Sequence, residues 1–228
     1  MTPLLTPEQV ADLAAIDTPT VCNAIEKFKV RDDTAGFIGS SIECSFPEFP
    51  PSVGYALTVE VDTTTPNIKR DPEVWKEWVR AMEAAPKPIF LVFKDIGTAP
   101  DHSAHIGEVM ATLATRLGVV ALLTDGGVRD LNEVRSLGLQ MFSRGPVASH
   151  GNPRLVSVNR PVIIDGVFIS PGDLLHGDLN GVTLIPQECA QEIAQKAEEI
   201  RKEEGEMLRY IRSKDFNVEE FLRRKFSH

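Results

Sequence analysis

Cysteine is scarce in this sequence, and the spacing of the few thiols excludes several kinds of site. Cys22, Cys44 and Cys189 form no close pair and no C-x-x-C motif. This spacing argues against a cysteine zinc site and against a dithiol redox centre. We therefore expect reduced, buried thiols, as is typical of a cytosolic protein.

Long apolar segments are also absent. No run approaches the roughly 20 residues that a membrane-spanning helix needs. The stretch MTPLLTPEQVADLAAID at the N-terminus has no basic region followed by an apolar segment, so it does not resemble a secretory signal. These absences predict a cytoplasmic protein that does not bind a membrane.

The familiar catalytic and nucleotide-binding motifs are missing as well. We find no G-x-x-x-x-G-K-[ST] loop, no G-x-G-x-x-G fingerprint, no G-x-S-x-G elbow and no H-E-x-x-H pair. The formal net charge of -9 disfavours non-specific binding to nucleic acid, because phosphate contacts need a basic surface. An anionic substrate would have to be captured by local positive groups.

What the sequence does contain is typical of a globular α/β protein. Its 228 residues, 42% hydrophobic and 25% charged, are enough to bury a substantial core. Strands and helices alternate through the middle of the chain, which predicts βαβ units and a parallel sheet. The predicted helices are 7–29 in two parts, 71–85, 103–118, 128–138 and a long one from 187, and the predicted strands are 54–63, 88–96 and 119–124.

The pattern changes after residue 159. Asp165-Gly166 lies between two β-rich arms in 160–173, which is a strong hairpin signal, and 178–186 adds another short strand. An antiparallel β layer is therefore expected beside the parallel one. Residues 187–228 are mostly charged helix, with an apolar set that could pack on another subunit (Ile193, Ala197, Ile200, Met207, Ile211).

The segment LLTDGGVRD (122–130) follows a buried strand, at the sheet edge where α/β proteins bind ligands. Its two glycines permit a sharp turn, and Arg129 offers a fork that matches a carboxylate. Asp125 and Asp130 offer hard oxygens that suit Mg²⁺ or Mn²⁺. The pattern alone leaves a second interpretation open, in which Asp130 caps the following helix, Arg129 pairs with an acid and the glycines only form a turn.

A second segment favours the ligand-binding interpretation. HIGEVM (105–110) opens the helix that precedes the same strand, and the unpaired N–H groups of a helix start suit an anion. Glu108 could cap this helix or lie beside a metal held by Asp130. Because the helix start and the strand end share one edge of a βαβ unit, Gly107 and Arg129 are predicted to meet there.

Three segments together resemble the regulator of ribonuclease activity A (RraA) family, and within it the 4-hydroxy-4-methyl-2-oxoglutarate aldolases. GEVMATLATRLGVVALLTDGGVRD (107–130) carries the main likeness. SPGDLLHGDLNGVTLIP (170–186) resembles the later P-G-D and D-x-x-G-V pattern of the family, and DTPTVCNAIEKF (17–28) resembles its N-terminal helix. The likeness extends over about residues 10–200.

This resemblance implies a three-layer β/β/α swivelling domain with a parallel sheet, a second β layer and a C-terminal helical extension. Residues 1–186 would form the single domain, and 187–228 would pack on a neighbouring subunit of a homotrimer or homohexamer. The implied activity is metal-dependent cleavage of a 4-hydroxy-2-oxo acid to pyruvate and a carbonyl product, together with oxaloacetate decarboxylation. The implied cofactor is Mg²⁺ or Mn²⁺.

The resemblance also implies roles for individual residues. Asp130 would ligate the metal directly and Glu108 would do so through water. Arg129 would bind the pyruvate carboxylate. Backbone N–H groups near Gly107, Val109 and Met110 would donate hydrogen bonds to the same carboxylate. A metal beside the 2-oxo group acts as a Lewis acid where negative charge grows. The substrate hydroxyl would lose its proton near Glu108 or Asp125.

Further residues have alternative assignments. A glutamate from the neighbouring subunit approaches the metal waters in the family, and Glu203, Glu204 and Glu206 lie in the matching region. We prefer Glu204. We expect His102 and His105 to be surface histidines or to lie behind the first layer of ligands, and we expect His176 to lie in a turn.

Two alternatives to the aldolase stay open. Short members of the family are non-catalytic proteins that mask ribonuclease E, and these end soon after the last β segment. The extension 187–228 favours an enzyme over such a regulator. The second alternative is a family enzyme that acts on a different oxo acid, with which residues 43–56 are also compatible.

Overall fold

We analysed a computed structural model of the protein, which describes residues 4–226. It confirms the α/β fold with a central sheet, helices and a separate β-hairpin. The helices are α1 (Pro7–Ala14), α2 (Thr18–Phe28), α3 (Pro72–Ala84), α4 (Glu108–Arg116), α5 (Leu131–Ser136), α6 (Ile193–Ile211) and α7 (Val218–Phe226). The strands are β1 (Glu43–Cys44), β2 (Ser52–Asp62), β3 (Ile89–Asp95), β4 (Val119–Thr124), β5 (Gln140–Ser143), β6 (Arg154–Val158), β7 (Val162–Ile164), β8 (Val167–Ile169), β9 (Leu174–Asp178) and β10 (Gly181–Ile185).

The sheet is parallel at its centre and antiparallel at its margins. Its strand order is β1-β5-β4-β3-β2-β9-β10, and β6 pairs with β2 outside this path. The pairs β2/β3, β3/β4 and β4/β5 are parallel, as the alternation of strands and helices predicts. Phe93 of β3 is in register with Thr124 of β4, so the carboxyl ends of these strands lie side by side.

The second β layer is the hairpin β7–β8, which lies where Asp165-Gly166 predicts it. Both turn residues have positive φ, 48° and 80°, as a tight two-residue hairpin turn requires. Val162, Ile164 and Ile169 pack against the sheet. Strands β9 and β10 join the main sheet instead of this layer, because β9 pairs with β2 and extends it.

Helices cover the remaining surface of the sheet in two groups. Helices α3, α4 and α5 pack on β2–β5 around buried Trp78 and Met82. Helix α6 packs with α1 and α2 in the same chain through Ile193, Ala197 and Ile200. It continues through Gly205 without a break.

The structure differs from the sequence prediction at the start of α4. The helix begins at Glu108, whereas the pattern predicts residue 103. Residues 103–107 are extended and pair with the loop after β4. Ala104 forms a parallel bridge with Gly127, and the His105 N–H donates to Gly127 O at 2.8 Å. These long-range hydrogen bonds pair backbone N–H and C=O groups that would otherwise have paired within a longer helix.

The structure removes one of the two alternatives for His105 and corrects the expectation for His176. His105 is not a surface residue, because its side chain is fully buried. His176 lies in β9 and not in a turn, and burial lowers the pKa of its imidazole. Its ring nitrogens each lie 3.0 Å from a partner, Thr18 Oγ1 and Leu13 O. His102 is exposed in a 3-10 turn.

Across residues 4–226, no helix combines the length and the apolar character that crossing a bilayer would require.

Candidate functional site

The candidate site forms where the loop after β4 meets the start of α4. Oδ2 of Asp130 accepts a hydrogen bond from the Glu108 N–H at 2.9 Å. A carboxylate in this position satisfies one of the unpaired N–H groups of the helix and complements the positive end of its dipole. Asp130 therefore caps α4, although it lies 22 residues away in the sequence.

Gly107 brings these groups into unusually close contact. A Cβ atom at this position would lie 2.5 Å from Oδ2 of Asp130 and 2.8 Å from Nε of Arg129. Nε of Arg129 lies 3.6 Å from Oδ2 of Asp130. The backbone of Gly107 is extended, with φ -142° and ψ -172°. Glycine is thus needed here for space and not for an unusual backbone angle.

Asp130 itself adopts a left-handed backbone, with φ 57° and ψ 42°. It immediately precedes α5, and within the described chain its side chain makes no capping bond to that helix. Aspartate tolerates this conformation better than most residues, but a cost of about 1 kcal/mol remains. The strained backbone directs the carboxylate to α4 and to Arg129, and backbone strain of this kind is common at functional sites.

A cavity of about 420 Å³ opens beside this cluster. That volume is within the range of pockets that bind small molecules. The first turn of α4 forms one wall, where Val109 is 82% exposed. Another part of the wall carries charged and apolar side chains from the start of α3, from β6 and from the loops just before these two elements (Arg70, Asp71, Trp75, His150, Pro153, Arg154, Leu155).

Arg154 is fixed in this wall by Asp62, a contact that the sequence pattern does not reveal. Nη2 of Arg154 lies 2.8 Å from Oδ2 of Asp62, and Asp62 also accepts the backbone N–H groups of Thr64 and Thr65. Burial opposes ionisation of Asp62, but these hydrogen bonds outweigh it and lower the pKa of the carboxyl to about 2. The cavity thus holds a pre-oriented arginine in addition to Arg129.

The predicted site residues fall into three places. Gly107, Glu108, Val109, Met110, Arg129 and Asp130 all line the cavity. Asp125 is absent from the cavity lining of the described chain. One carboxylate oxygen of Asp125 accepts the Asp95 N–H at 2.9 Å, and the other forms an ion pair with Lys94. It therefore ties the loop to the end of β3.

The C-terminal glutamates lie elsewhere in the chain. Glu203, Glu204 and Glu206 border a separate cavity of about 870 Å³ among α2, α6 and α7. Within one chain of residues 4–226, they do not reach the Arg129 cavity. A contribution from any of them would have to come from another subunit.

Carboxylate groups that could hold a metal are few. Residues 4–226 contain no cluster of three or more histidine, cysteine, aspartate or glutamate side chains arranged for a metal ion. Asp71, Glu108 and Asp130 are the carboxylates that line the cavity, and Asp130 lies next to Arg129. Mg²⁺ is commonly bound by one or two carboxylates together with waters and substrate oxygens. This donor set fits such an ion and does not fit a closed all-protein site.

The chain is similar in sequence to two proteins that cover half of it or more. A protein of Methanocaldococcus jannaschii, described only as uncharacterised, is 30% identical over 164 residues, which cover 71% of this chain and 74% of that protein. A protein of Halalkalibacterium halodurans named "Putative 4-hydroxy-4-methyl-2-oxoglutarate aldolase" is 30% identical over 120 residues, covering 52% of this chain and 57% of that protein.

Solved structures agree with the fold. An uncharacterised protein from Pseudomonas syringae has a TM-score of 0.74 at 22% identity, covering 100% of this chain and 96% of that one. Streptomyces coelicolor RraAS2, described as an unusual member of the RNase ES inhibitor RraA protein family, has a TM-score of 0.69 at 22% identity, covering 90% and 97%. A family model described as RraA-like, Aldolase/RraA, matches residues 18–184. The chain therefore belongs to the RraA-like (Aldolase/RraA) family.

Proposed function

We propose that the protein is a metal-dependent carbon–carbon lyase that cleaves a 4-hydroxy-2-oxo acid to pyruvate and a carbonyl product, and that it also decarboxylates oxaloacetate. The observation that carries this proposal is the cluster of Gly107, Arg129 and Asp130 at the edge of a cavity. A relative named as an aldolase matches about half of the chain. The cluster offers the two features that an anionic oxo acid needs, a fixed cation and an open helix start.

Arg129 would bind the carboxylate of the pyruvate half through its planar guanidinium. The exposed first turn of α4, at Val109 and Met110, would present backbone N–H groups to the same anion. Since Gly107 lacks a side chain, the substrate can approach the backbone and Arg129 together. These contacts would orient the bond between carbon atoms 3 and 4 of the substrate for cleavage.

Both reactions place negative charge on the departing pyruvate half. A divalent cation, Mg²⁺ or Mn²⁺, would supply Lewis-acid stabilisation of that charge when bound. Asp130 would hold such an ion directly, and Glu108 would contact its water ligands. Arg129 adds a second positive centre that is already in place before the reaction.

The proton of the substrate hydroxyl needs an acceptor in this site. Glu108 is exposed at the cavity and is our first candidate to receive that proton. Asp125 would act less directly, because its carboxylate already bonds Lys94 and the backbone of Asp95. Its part would be to hold the loop that carries Arg129 and Asp130.

We further propose that the site is completed in a homotrimer or homohexamer by Glu204 of a neighbouring subunit, with residues 187–228 as the packing extension of the 1–186 domain. Exposed Leu208 and Ile211 continue the apolar face of α6 beyond its intrachain contacts. Glu204→Gln should then lower activity more than Glu203→Gln or Glu206→Gln. Equal effects of the three variants would reject the choice of Glu204.

The deciding experiment measures pyruvate release from oxaloacetate and from 4-hydroxy-4-methyl-2-oxoglutarate, with Mg²⁺ or with a chelator. Arg129→Ala and Asp130→Ala should each abolish release, and Asp130→Ala should also weaken Mn²⁺ binding. Arg135→Ala is a matched control, since Arg135 lies on α5 and pairs with Glu48 at the surface. Wild-type protein that releases no pyruvate from either substrate would reject the lyase and leave a ribonuclease-binding role to be tested.

A further inference from the structure

A buried histidine joins the ends of two parallel strands beneath the candidate site. The side chains of His105 and Asp95 are both 0% exposed, and Nε2 of His105 lies 2.6 Å from Oδ2 of Asp95. Nδ1 of the same ring lies 2.6 Å from Oγ1 of Thr124. Because Asp95 ends β3 and Thr124 ends β4, the imidazole bridges the two strand ends that lead into the site loops.

The surrounding hydrogen bonds are all satisfied when Nε2 of His105 donates and Nδ1 accepts. Oδ2 of Asp95 accepts from Oγ1 of Thr63 at 2.9 Å, and it then also accepts from Nε2 of His105. Oγ1 of Thr124 accepts the Gly126 N–H at 3.2 Å and can donate its own proton to Nδ1. Every group in this buried network then has a partner, as buried polar groups require.

The ring also packs against the glycine pair of the loop. A Cβ atom on Gly126 would lie 2.1 Å from Cε1 and 2.4 Å from Nε2 of His105. No larger residue fits at Gly126 while the imidazole keeps this place. The sequence pattern predicts a sharp turn at these glycines, and the structure adds that Gly126 makes room for His105.

Backbone hydrogen bonds connect the segment that contains His105 to the loop that carries Arg129 and Asp130. The His105 N–H donates to Gly127 O at 2.8 Å, and the Arg129 N–H donates to Ile106 O at 3.2 Å. The paired segment ends at Gly107, where Asp130 caps α4. The imidazole is therefore connected to Arg129 and Asp130 through the paired segments 103–107 and 125–130.

We infer that His105 is a positioning residue, whose imidazole fixes residues 103–107 and 125–130 and so holds Arg129 and Asp130 against Gly107. Its effect on turnover rests on the proposed lyase function, whereas the structural constraint itself does not. Groups that orient a substrate must be held closely, since a displacement of about 1 Å can cost about 100-fold in rate.

The test compares His105→Gln with His176→Gln. A glutamine at 105 can reach Asp95 or Thr124 but not both, since its amide lacks the span of the ring. His176 is a matched control, because it is also 0% exposed and makes two hydrogen bonds, but it lies on β9 against α1 and α2. Both variants should lose thermal stability. Only His105→Gln should speed amide hydrogen exchange in residues 103–110 and 124–131.

In the pyruvate-release assay, His105→Gln should lower kcat/KM by about 10- to 100-fold, and His176→Gln should leave it within twofold or so of wild type. If His105→Gln does not fold, Thr124→Val removes the Nδ1 partner and should give the same local exchange pattern, which Thr124→Ser should reverse. The inference is overturned if exchange in the two segments is no faster than in His176→Gln. It is also overturned if both histidine variants lose activity equally. Inactive wild-type protein with the predicted exchange pattern would reject the lyase but keep the positioning role.

Discussion

Substitution of Gly107 by alanine offers a direct test of the contact between α4 and the Arg129–Asp130 pair. The extended backbone at this position suits any residue, so the new methyl group acts only through its contacts. Its distance to Oδ2 of Asp130 would be 2.5 Å, and ordinary contact begins at 3.4 Å. The carboxylate must therefore retreat by the difference, about 0.9 Å.

The same displacement breaks the helix cap. The distance from the Glu108 nitrogen to Oδ2 of Asp130 is 2.9 Å, and a retreat of about 0.9 Å directed away from that nitrogen lengthens it to about 3.8 Å, beyond the reach of a hydrogen bond. Loss of a capping bond costs about 1 kcal/mol of folding free energy. Displacement of Asp130 by about 0.9 Å and of Nε of Arg129 by about 0.6 Å should lower kcat/KM by up to about 100-fold.

Two measurements check this prediction independently. Urea unfolding gives the change in the free energy of unfolding, and pyruvate release from oxaloacetate gives the change in kcat/KM. Gly107→Ala with wild-type stability and activity would refute the reasoning, because the close contact would then carry no energetic or functional weight. A loss of stability without a loss of activity would keep the cap and reject the catalytic placement.

Two further predictions concern stability alone. The pKa of Asp62 is about 2, below its ordinary value of 3.8, so its stabilising effect is present above pH 4 or so and is lost as pH falls toward 2. By linkage this effect is worth about 2 kcal/mol at pH 7 and about half of that at pH 3. The stability gap between wild type and Asp62→Asn in urea should therefore shrink over this pH range, and a constant gap would contradict the linkage. Gly205→Ala, within α6 and with only Arg209 near the new methyl group, should raise the free energy of unfolding by roughly 0.5–1 kcal/mol, whereas an unchanged or lower value would contradict the helix-propensity argument.

Local signals in the sequence were sufficient for most elements of the fold. Thr6 and Asp71 cap α1 and α3, and each is followed by a proline in the first turn, which is a local signal for a helix start. The apolar runs of β3 and β4 and the turn at Asp165-Gly166 are also where they were expected. These features depend on neighbouring residues, so they can be predicted without knowledge of distant contacts.

Distant contacts account for the differences. The segment 103–107 has a helical pattern, but its backbone hydrogen bonds are taken by the loop after β4. His105 and His176 have buried partners in other elements, Asp95 and Thr124 for the first and Thr18 and Leu13 for the second. The spacing of residues in the sequence gives no information about such partners.

The candidate site shows the same division. The sequence by itself determined that charge and glycine are concentrated after β4 and at the start of α4, because the strand and helix signals around them are local. Only the tertiary structure decided that Asp130 faces α4 and Arg129 while Asp125 turns to Lys94. The physical reason is that the two aspartates are alike as residues, and their roles differ only through the atoms that the folded chain brings to each carboxylate.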